Sequence, residues 1–231
     1  MSGELLEYLK SFLTEERLKR IEEVLALRTR FVTVVLEHVH RTQNASACVR
    51  NCEAFGVQDL HVIPGEAGFR INRDVARGAA GWLSIHRYPN QESDLTANHT
   101  QRCFDGLKER GYRIVAVSGR DARGSLLEYE PQIPTALVFG NELQGISETA
   151  VREADEIRSL PMFGFTESFN LSAAVALSLG NVLPRVRVPG IPWELSEIEK
   201  QDIRETWIRQ SLGHRLAGLE REFHRRGDFA T

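Results

Sequence analysis

The feature that most constrains the fold is an alternation of short, β-branched apolar segments with segments of helical spacing. Residues 31–39 read FVTVVLEHV, an almost continuous apolar run that is typical of a strand buried on both faces of a sheet. Further strands are predicted at residues 60–63, 82–86, 112–117, 135–139 and 156–160. Strands that alternate with helices form a mostly parallel sheet with helices on both faces, so the sequence predicts an α/β protein.

Helical patterns occupy the intervals and both ends of the chain. Residues 4–27 predict two short helices, and Asn44 is expected to open a helix that Gly56 ends. The remaining helices are expected to end before Gly111, to span 147–154 with Ser147 as cap, and to span 170–183 and much of 193–223. The chain is therefore divided into an N-terminal helical extension (1–30), a central α/β domain (31–187) and a C-terminal helical extension (188–231).

The charge balance limits how the protein can bind nucleic acid. The 29 Lys and Arg residues are outnumbered by 32 Asp and Glu residues, which gives a net charge of −3. A protein that held nucleic acid over its whole surface would be more basic, so a nucleic-acid site must be a local patch. One candidate contains Arg70, Arg73, Arg77 and Arg87. The alternative is a solvated arginine-rich loop, although arginine forks suit phosphate.

Several classes of protein find no support in the sequence. Three cysteines do not form a disulfide framework, the N-terminus is too charged for a signal peptide, and no apolar run is long enough to cross a bilayer. These features predict a reducing, cytoplasmic location and no membrane partner. No dinucleotide, Walker or serine-hydrolase motif is present. Cys48 and Cys52 lack a histidine pair, so both are interpreted as core residues and no metal site is expected.

Three segments are poorly explained by packing alone. The first, residues 44–56, places Asn44 and Arg50 after a strand, near the edge where open α/β sheets bind ligands. A helix cap and a surface charge are the alternative roles for these two residues. The second segment, residues 138–147, runs from a buried strand through two glycines to a helix start, and it is either a ligand loop or an ordinary connection.

The third segment, residues 160–172, is a long loop of apolar and small residues between a strand and a helix. Loops of this length and composition are seldom left free in water, so this one is expected to fold over something. An apolar, small-residue pocket of this kind suits an adenine ring held by backbone groups.

Taken in this order, the three segments resemble motifs of the SPOUT superfamily of RNA methyltransferases, most closely its tRNA guanosine 2′-O-methyltransferase (TrmH) group. The matching residues are Asn44, Arg50, Ala54 and Gly56 in the first motif, Phe139, Gly140, Glu142, Gly145 and Ser147 in the second, and Leu160, Pro161, Met162, Ser168, Asn170 and Ser172 in the third. The resemblance covers about residues 15–210. Three ordered motifs are far more specific than any one alone.

The resemblance implies a fold, a cofactor and an assembly. Members of this group have a C-terminal deep trefoil knot, which would here span about residues 135–185, and they work as homodimers through the knot helices. They bind S-adenosylmethionine in the knot loops. The implied cofactor-binding residues are Val117, Ser118, Gly140, Leu160, Ser168, Phe169 and Asn170.

The implied reaction is 2′-O-methylation of a guanosine ribose in the D-loop of tRNA, at position 18. The resemblance makes Arg50 the catalytic residue, assisted by Asn44 and Glu142. Because the guanidinium pKa lies above ~12, Arg50 is either a base or a charge that stabilises the alkoxide and holds a phosphate. The expected RNA contacts are Arg20, Arg28, Arg41, Arg70, Arg73 and Arg77.

Two alternatives remain open at the level of the sequence. The same fold and chemistry serve enzymes that methylate rRNA or another tRNA position. A protein of this fold can also bind RNA or cofactor without catalysis, but the presence of Arg50 together with Asn44 and Glu142 argues against that alternative.

Overall fold

The structure, a computed structural model, describes residues 3–65, 68–88, 98–119 and 122–227, without the side chains of Arg73 and Arg226. The chain divides into two compact units. One unit is Thr29–Trp193, and the other combines Met1–Arg28 with Glu194–Thr231.

The larger unit is built on a parallel sheet. The described strands are β1 (Val32–Glu37), β2 (Asp59–Ile63), β3 (Ser84–Arg87), β4 (Arg113–Val117), β5 (Thr135–Phe139) and β6 (Glu156–Arg158). Their order is β3-β2-β1-β5-β4-β6, and every described pair is parallel. The predicted α/β class and parallel sheet are therefore confirmed.

Helices cover both faces of this sheet. They are α3 (Thr42–Phe55), α4 (Arg73–Ala76), α5 (His99–Glu109), α6 (Glu148–Glu153) and α7 (Leu171–Val186), with short 3₁₀ turns at Ala79–Trp82 and Leu126–Glu128. One apolar core lies between the sheet and α3 and α7, and a second lies between the sheet and α5 and α6. β1 contributes Val34 to the first core and Val35 to the second, which explains its uninterrupted apolar sequence.

Several boundaries differ from the sequence predictions. Helix α3 begins at Thr42, two residues before Asn44, and β6 ends at Arg158 rather than at residue 160. Trp82 belongs to a 3₁₀ turn, so β3 begins at Ser84. Helix α7 continues past Pro184 to Val186, because the next turn closes through a hydrogen bond from Arg187 N to Leu183 O.

The smaller unit is helical. It contains α1 (Gly3–Lys10), α2 (Glu15–Leu25), α8 (Glu197–Leu212) and α9 (Leu216–Gly227). The buried residues Leu9, Ile21 and Trp207 lie within it, and Arg204 forms a two-pronged ion pair with Glu22 that joins α8 to α2. The two predicted N-terminal helices are confirmed. In the part of the chain that the structure describes, no helix has both the length and the apolar character needed to span a membrane.

Candidate functional site

Strand order brings the three sequence segments to one edge of the sheet. Strands β1, β5, β4 and β6 are neighbours and run in the same direction. The residues that follow their carboxyl ends therefore share an edge. The chain order reverses between β1 and β5, and open α/β sheets bind their ligands at such a point.

A chain of amide and carboxylate side chains links the three segments. Asn44 Nδ2 donates to Glu142 Oε1 at 2.6 Å, and Asn170 Nδ2 donates to Asn44 Oδ1 at 3.0 Å. Asn170 also caps helix α7, since its Oδ1 accepts from the backbone N of Ser172. Asn44 is not the cap of α3. Arg41 occupies that position without a side-chain cap, so the amide of Asn44 is free to join Glu142 and Asn170.

One carboxylate oxygen of Glu142 accepts no hydrogen bond in the described part of the chain. This oxygen, Oε2, is buried. A buried acceptor without a donor is costly, typically about 1–3 kcal/mol. Glu142 is therefore held at this edge by its bond to Asn44, with its second oxygen turned away from solvent.

The loop after β5 is a closed turn. Asn141 N donates to Gly145 O and Gly145 N donates to Asn141 O, both at 3.0 Å, while Asn141 Oδ1 accepts from Leu143 N and Gln144 N. A Cβ added to Gly140 would lie 2.0 Å from the backbone of Gly145. Only glycine fits at position 140, because any side chain there would overlap the backbone of this turn.

A buried glutamate fixes the far end of this loop. Glu37, at the end of β1, is fully buried and accepts hydrogen bonds from Thr100 Oγ1, from Ser147 Oγ and from the backbone N of Ser147. Ser147 is the cap of α6, as predicted. The sequence interpretation missed Glu37. The available signal was a single acidic residue at the end of an otherwise apolar strand.

Arg50 lies on the outer side of α3. Its side chain is exposed and forms no hydrogen bond or ion pair with another residue in the described part of the chain. The next residue, Asn51, donates from Nδ2 to the carbonyl of Ser172 at 2.8 Å. This contact and the apolar packing between α3 and α7 fix α3 against α7. Asn44 and Arg50 both lie on α3.

The remaining expected cofactor residues follow β4 and β6. Val117 and Leu160 are half-buried against the first core, and Ser118 N donates to Arg158 O. Ser168 and Phe169 belong to a loop whose aromatic side chains are open to solvent. Phe163 and Phe165 are 98% and 109% exposed. Nothing in the described part of the chain covers these two rings, so the expectation that the loop folds over something stays a prediction.

The expected RNA contacts have different surroundings. Arg20, Arg41, Arg70 and Arg77 are exposed, and the side chain of Arg73 lies outside the described residues. Arg28 is 1% exposed, and its guanidinium lies 5.1 Å from the centre of the Trp207 ring. Arg28 is thus a packing residue, and its assignment as an RNA contact is corrected.

The chain is similar to known methyltransferases over most of its length. A sequence model described as the SpoU rRNA Methylase family matches residues 31–180. A Borreliella burgdorferi protein named tRNA (guanosine(18)-2′-O)-methyltransferase is 38% identical over 202 residues, which cover 87% of this chain and 88% of that protein.

Solved structures agree with this similarity. The structure of the A. aeolicus TrmH/SpoU tRNA modifying enzyme superposes with a TM-score of 0.73 at 33% identity, covering 86% of this chain and 98% of that one. The methyltransferase AviRb from Streptomyces viridochromogenes, solved in complex with AdoMet, has a TM-score of 0.53 at 19% identity, with coverages of 71% and 60%. The second comparison concerns the fold alone.

Proposed function

The chain belongs to the SpoU rRNA Methylase family, and on this basis we propose that it methylates the ribose 2′-oxygen of guanosine 18 in the D-loop of tRNA, with S-adenosylmethionine as methyl donor. Relatives named for this reaction match most of the chain. We assign the reaction to the central domain, residues 31–187, and RNA contact to the N-terminal extension, residues 1–30, while the acidic C-terminal extension, residues 188–231, is a weak candidate for binding RNA.

The observation that carries the proposal is the link from Glu142 through Asn44 to Asn170. It joins one residue from each motif by hydrogen bonds of 2.6 and 3.0 Å. If the three segments were only loops between strands and helices, hydrogen bonds between their polar side chains would not be needed. The link positions α3, and hence Arg50, relative to the loops after β5 and β6.

These loops suit S-adenosylmethionine. Gly140 permits the tight turn that closes on Gly145, and this turn places backbone N–H and C=O groups at the sheet edge where they can bond a ligand. Val117, Ser118, Leu160, Ser168, Phe169 and Asn170 complete the assigned set. When bound, this cofactor supplies an electrophilic methyl group on a sulfonium. The backbone turns after β5 and β6 would hold this cofactor at the sheet edge.

Arg50 acts on the ribose hydroxyl. A neutral hydroxyl is a weak nucleophile, and its proton must leave as the new O–CH₃ bond forms. A guanidinium is a poor base because its pKa lies above ~12. We assign Arg50 to stabilise the developing alkoxide and to hold the adjacent phosphate through its two-pronged donors, while the hydroxyl proton is released to water. Asn44 orients α3 for this task, and Glu142 fixes the second loop.

The assigned assembly is a homodimer through the helices of the knot. The exposure of Phe163 and Phe165 supports it, because apolar loops of this kind are covered in a working protein. Helix α7 carries a further exposed apolar residue, Leu177, at 48%. The partner subunit would cover these side chains and place its own Arg50 beside the pocket.

The trefoil knot, assigned to about residues 135–185, has supporting contacts around α7. Asn181 Nδ2 donates to Leu126 O, and Arg185 donates to Leu127 O. Ser125 and Ser159 form a parallel bridge, so the segment after β4 lies beside the end of β6. Helix α7 therefore packs against the segment through which the knot would be threaded.

The assigned RNA contacts are the exposed Arg20 of the helical unit and, in the larger unit, the exposed Arg41, Arg70 and Arg77 together with Arg73. Their contacts are to phosphates, which give affinity and register but do not read bases. The described cysteines, Cys48, Cys52 and Cys103, are buried and form no disulfide with one another, which supports a reducing cytoplasmic location.

The proposed function is tested by transfer of a labelled methyl group. The protein is incubated with labelled S-adenosylmethionine and, separately, with unmodified tRNA and with rRNA, and the methylated nucleotide is mapped. Label in the D-loop guanosine of tRNA is expected. Label confined to rRNA supports the alternative substrate, and no label with either RNA supports a non-catalytic binding protein.

A further inference from the structure

A second cluster of polar side chains lies on the other half of the sheet. Asp59 and His61 alternate along β2, and the strand register pairs His61 with His86 of β3. All three side chains point to the same face, because paired residues of neighbouring strands share a face. One carboxylate oxygen of Asp59 and one ring nitrogen from each histidine lie within 4.8 Å of one another.

His61 is held as a metal-binding histidine is usually held. It is 1% exposed, and its Nδ1 forms a 2.9 Å hydrogen bond with the hydroxyl of Tyr88. Its other nitrogen, Nε2, is buried and has no hydrogen-bond partner within the described ranges. A ligating histidine typically bonds a fixed group through one ring nitrogen and the metal through the other.

Asp59 supplies an oxygen ligand beside the two imidazoles. The Asp59 side chain is 3% exposed, and its Oδ1 pairs with Arg30 Nε at 3.1 Å. Its other oxygen, Oδ2, lies 3.5 Å from His86 Nε2. Asp59 Oδ2 and the two imidazoles thus form a set of one oxygen and two nitrogen donors.

We propose that Asp59, His61 and His86 bind one divalent first-row transition-metal ion of the Zn²⁺ type. Two imidazoles and one carboxylate are a donor set that zinc uses, with Zn–N and Zn–O distances of about 2.0–2.2 Å. This site was not predicted from the sequence, because the three ligands come from two strands and only two of them are close in the chain.

Binding requires one local adjustment. The rings of His61 and His86 are stacked with centres 4.6 Å apart and an angle of 15° between their planes. A shared metal must lie near both ring planes, so the ring of His86 has to turn. The side chain of His86 is 41% exposed and has room to do so, whereas His61 is fixed by Tyr88.

The site lies away from the proposed methyl-transfer edge. β2 and β3 are at one end of the strand order, and Asp59 begins β2 rather than ending it. A metal ion here would join the edge strand β3 to β2. Its effect would be on the stability of this part of the sheet, so the proposal does not depend on the methyltransferase assignment.

The test is zinc binding by the full chain without a histidine tag, stripped with a chelator and dialysed. We expect titration calorimetry and elemental analysis to give about one Zn²⁺ per chain, and zinc to raise the unfolding temperature by mass action. In His86→Gln and in Asp59→Asn, affinity should fall at least about tenfold because one ligand is lost. The matched control is His214→Gln, an exposed histidine of the other unit, which should bind as the parent chain does.

Two results would overturn the proposal. One is that the folded parent protein binds no zinc, or much less than one Zn²⁺ per chain. The other is unchanged affinity in both His86→Gln and Asp59→Asn. Because His86 is partly exposed, its variant is expected to fold, which circular dichroism verifies before each titration.

Discussion

Glu142 Oε1 accepts a hydrogen bond of 2.6 Å from Asn44 Nδ2, although the two residues are 98 positions apart in the chain. The bond crosses from the helix after β1 to the loop after β5, at the position in the sheet where the chain order reverses. It converts two separate sequence motifs into one site. The other oxygen of Glu142 is buried and has no hydrogen-bond partner among the described residues.

The first prediction separates the hydrogen bond of Glu142 from its charge. Glu142→Ala leaves the Asn44 amide without an acceptor, and we expect kcat/KM to fall about 10- to 100-fold. Glu142→Gln keeps a carbonyl oxygen facing Asn44 and should retain more activity than Glu142→Ala. Steady-state methyl transfer to tRNA measures both. Equal losses in the two variants would mean that the negative charge, and not the bond to Asn44, is required.

A second prediction concerns the glycine under the loop after β5. The added methyl group of Gly140→Ala would overlap the backbone of Gly145, so the closed turn cannot form as it is. We expect loss of S-adenosylmethionine binding in calorimetry, with a lower unfolding temperature.

Gly106→Ala is the matched control for this variant. Gly106 lies within α5, and a Cβ there meets no atom within 4 Å. Alanine is favoured over glycine inside helices by about 0.5–1 kcal/mol, so this variant should be as stable as the parent chain or more so. Cofactor binding by Gly140→Ala at the affinity of Gly106→Ala would contradict the assignment of this loop.

The third prediction distinguishes two roles of Arg50. Arg50→Lys should keep much of the activity if a positive charge is sufficient, and should lose nearly all of it if the two-pronged guanidinium is needed. We expect the larger loss, because alkoxide and phosphate are held together. Arg50→Ala should bind S-adenosylmethionine normally, since Arg50 is outside the assigned cofactor set. Single-turnover kinetics measures the rate of methyl transfer, and titration with S-adenosylmethionine measures the affinity for the cofactor.

A fourth prediction concerns the RNA surface. Affinity for tRNA should fall steeply with salt, and Arg70→Gln and Arg77→Gln should each reduce the slope of log K against log[salt] by roughly 0.7–0.9. The control is Arg152→Gln, because Arg152 is exposed and already paired with Glu153. Filter binding across a salt series measures the slopes. A slope unchanged in both variants would remove the 70–87 segment from the interface.

Much of the fold was predictable because it depends on local pattern. Strand β5 was predicted with the bounds that the structure gives, and Ser147 and Gly56 mark helix ends as expected. These features follow from apolar periodicity and from the caps that helix ends require.

The remaining features depend on contacts between distant residues. Asn44 was expected either to cap α3 or to lie near a ligand, and only the folded chain shows its bonds to Glu142 and Asn170. Arg28 looked like a surface charge in the sequence, but helix α8 brings Trp207 over it. The His61–His86 pair arises from the strand register, which sequence spacing does not reveal.

The most direct test of the account is methyl transfer to two tRNA transcripts that differ in one atom. One carries guanosine at position 18 and the other carries 2′-deoxyguanosine there, and each is incubated with labelled S-adenosylmethionine. We expect about one methyl group per molecule of the first transcript and none on the second, since 2′-O transfer has no acceptor without the hydroxyl. Equal labelling of the two transcripts would contradict the account.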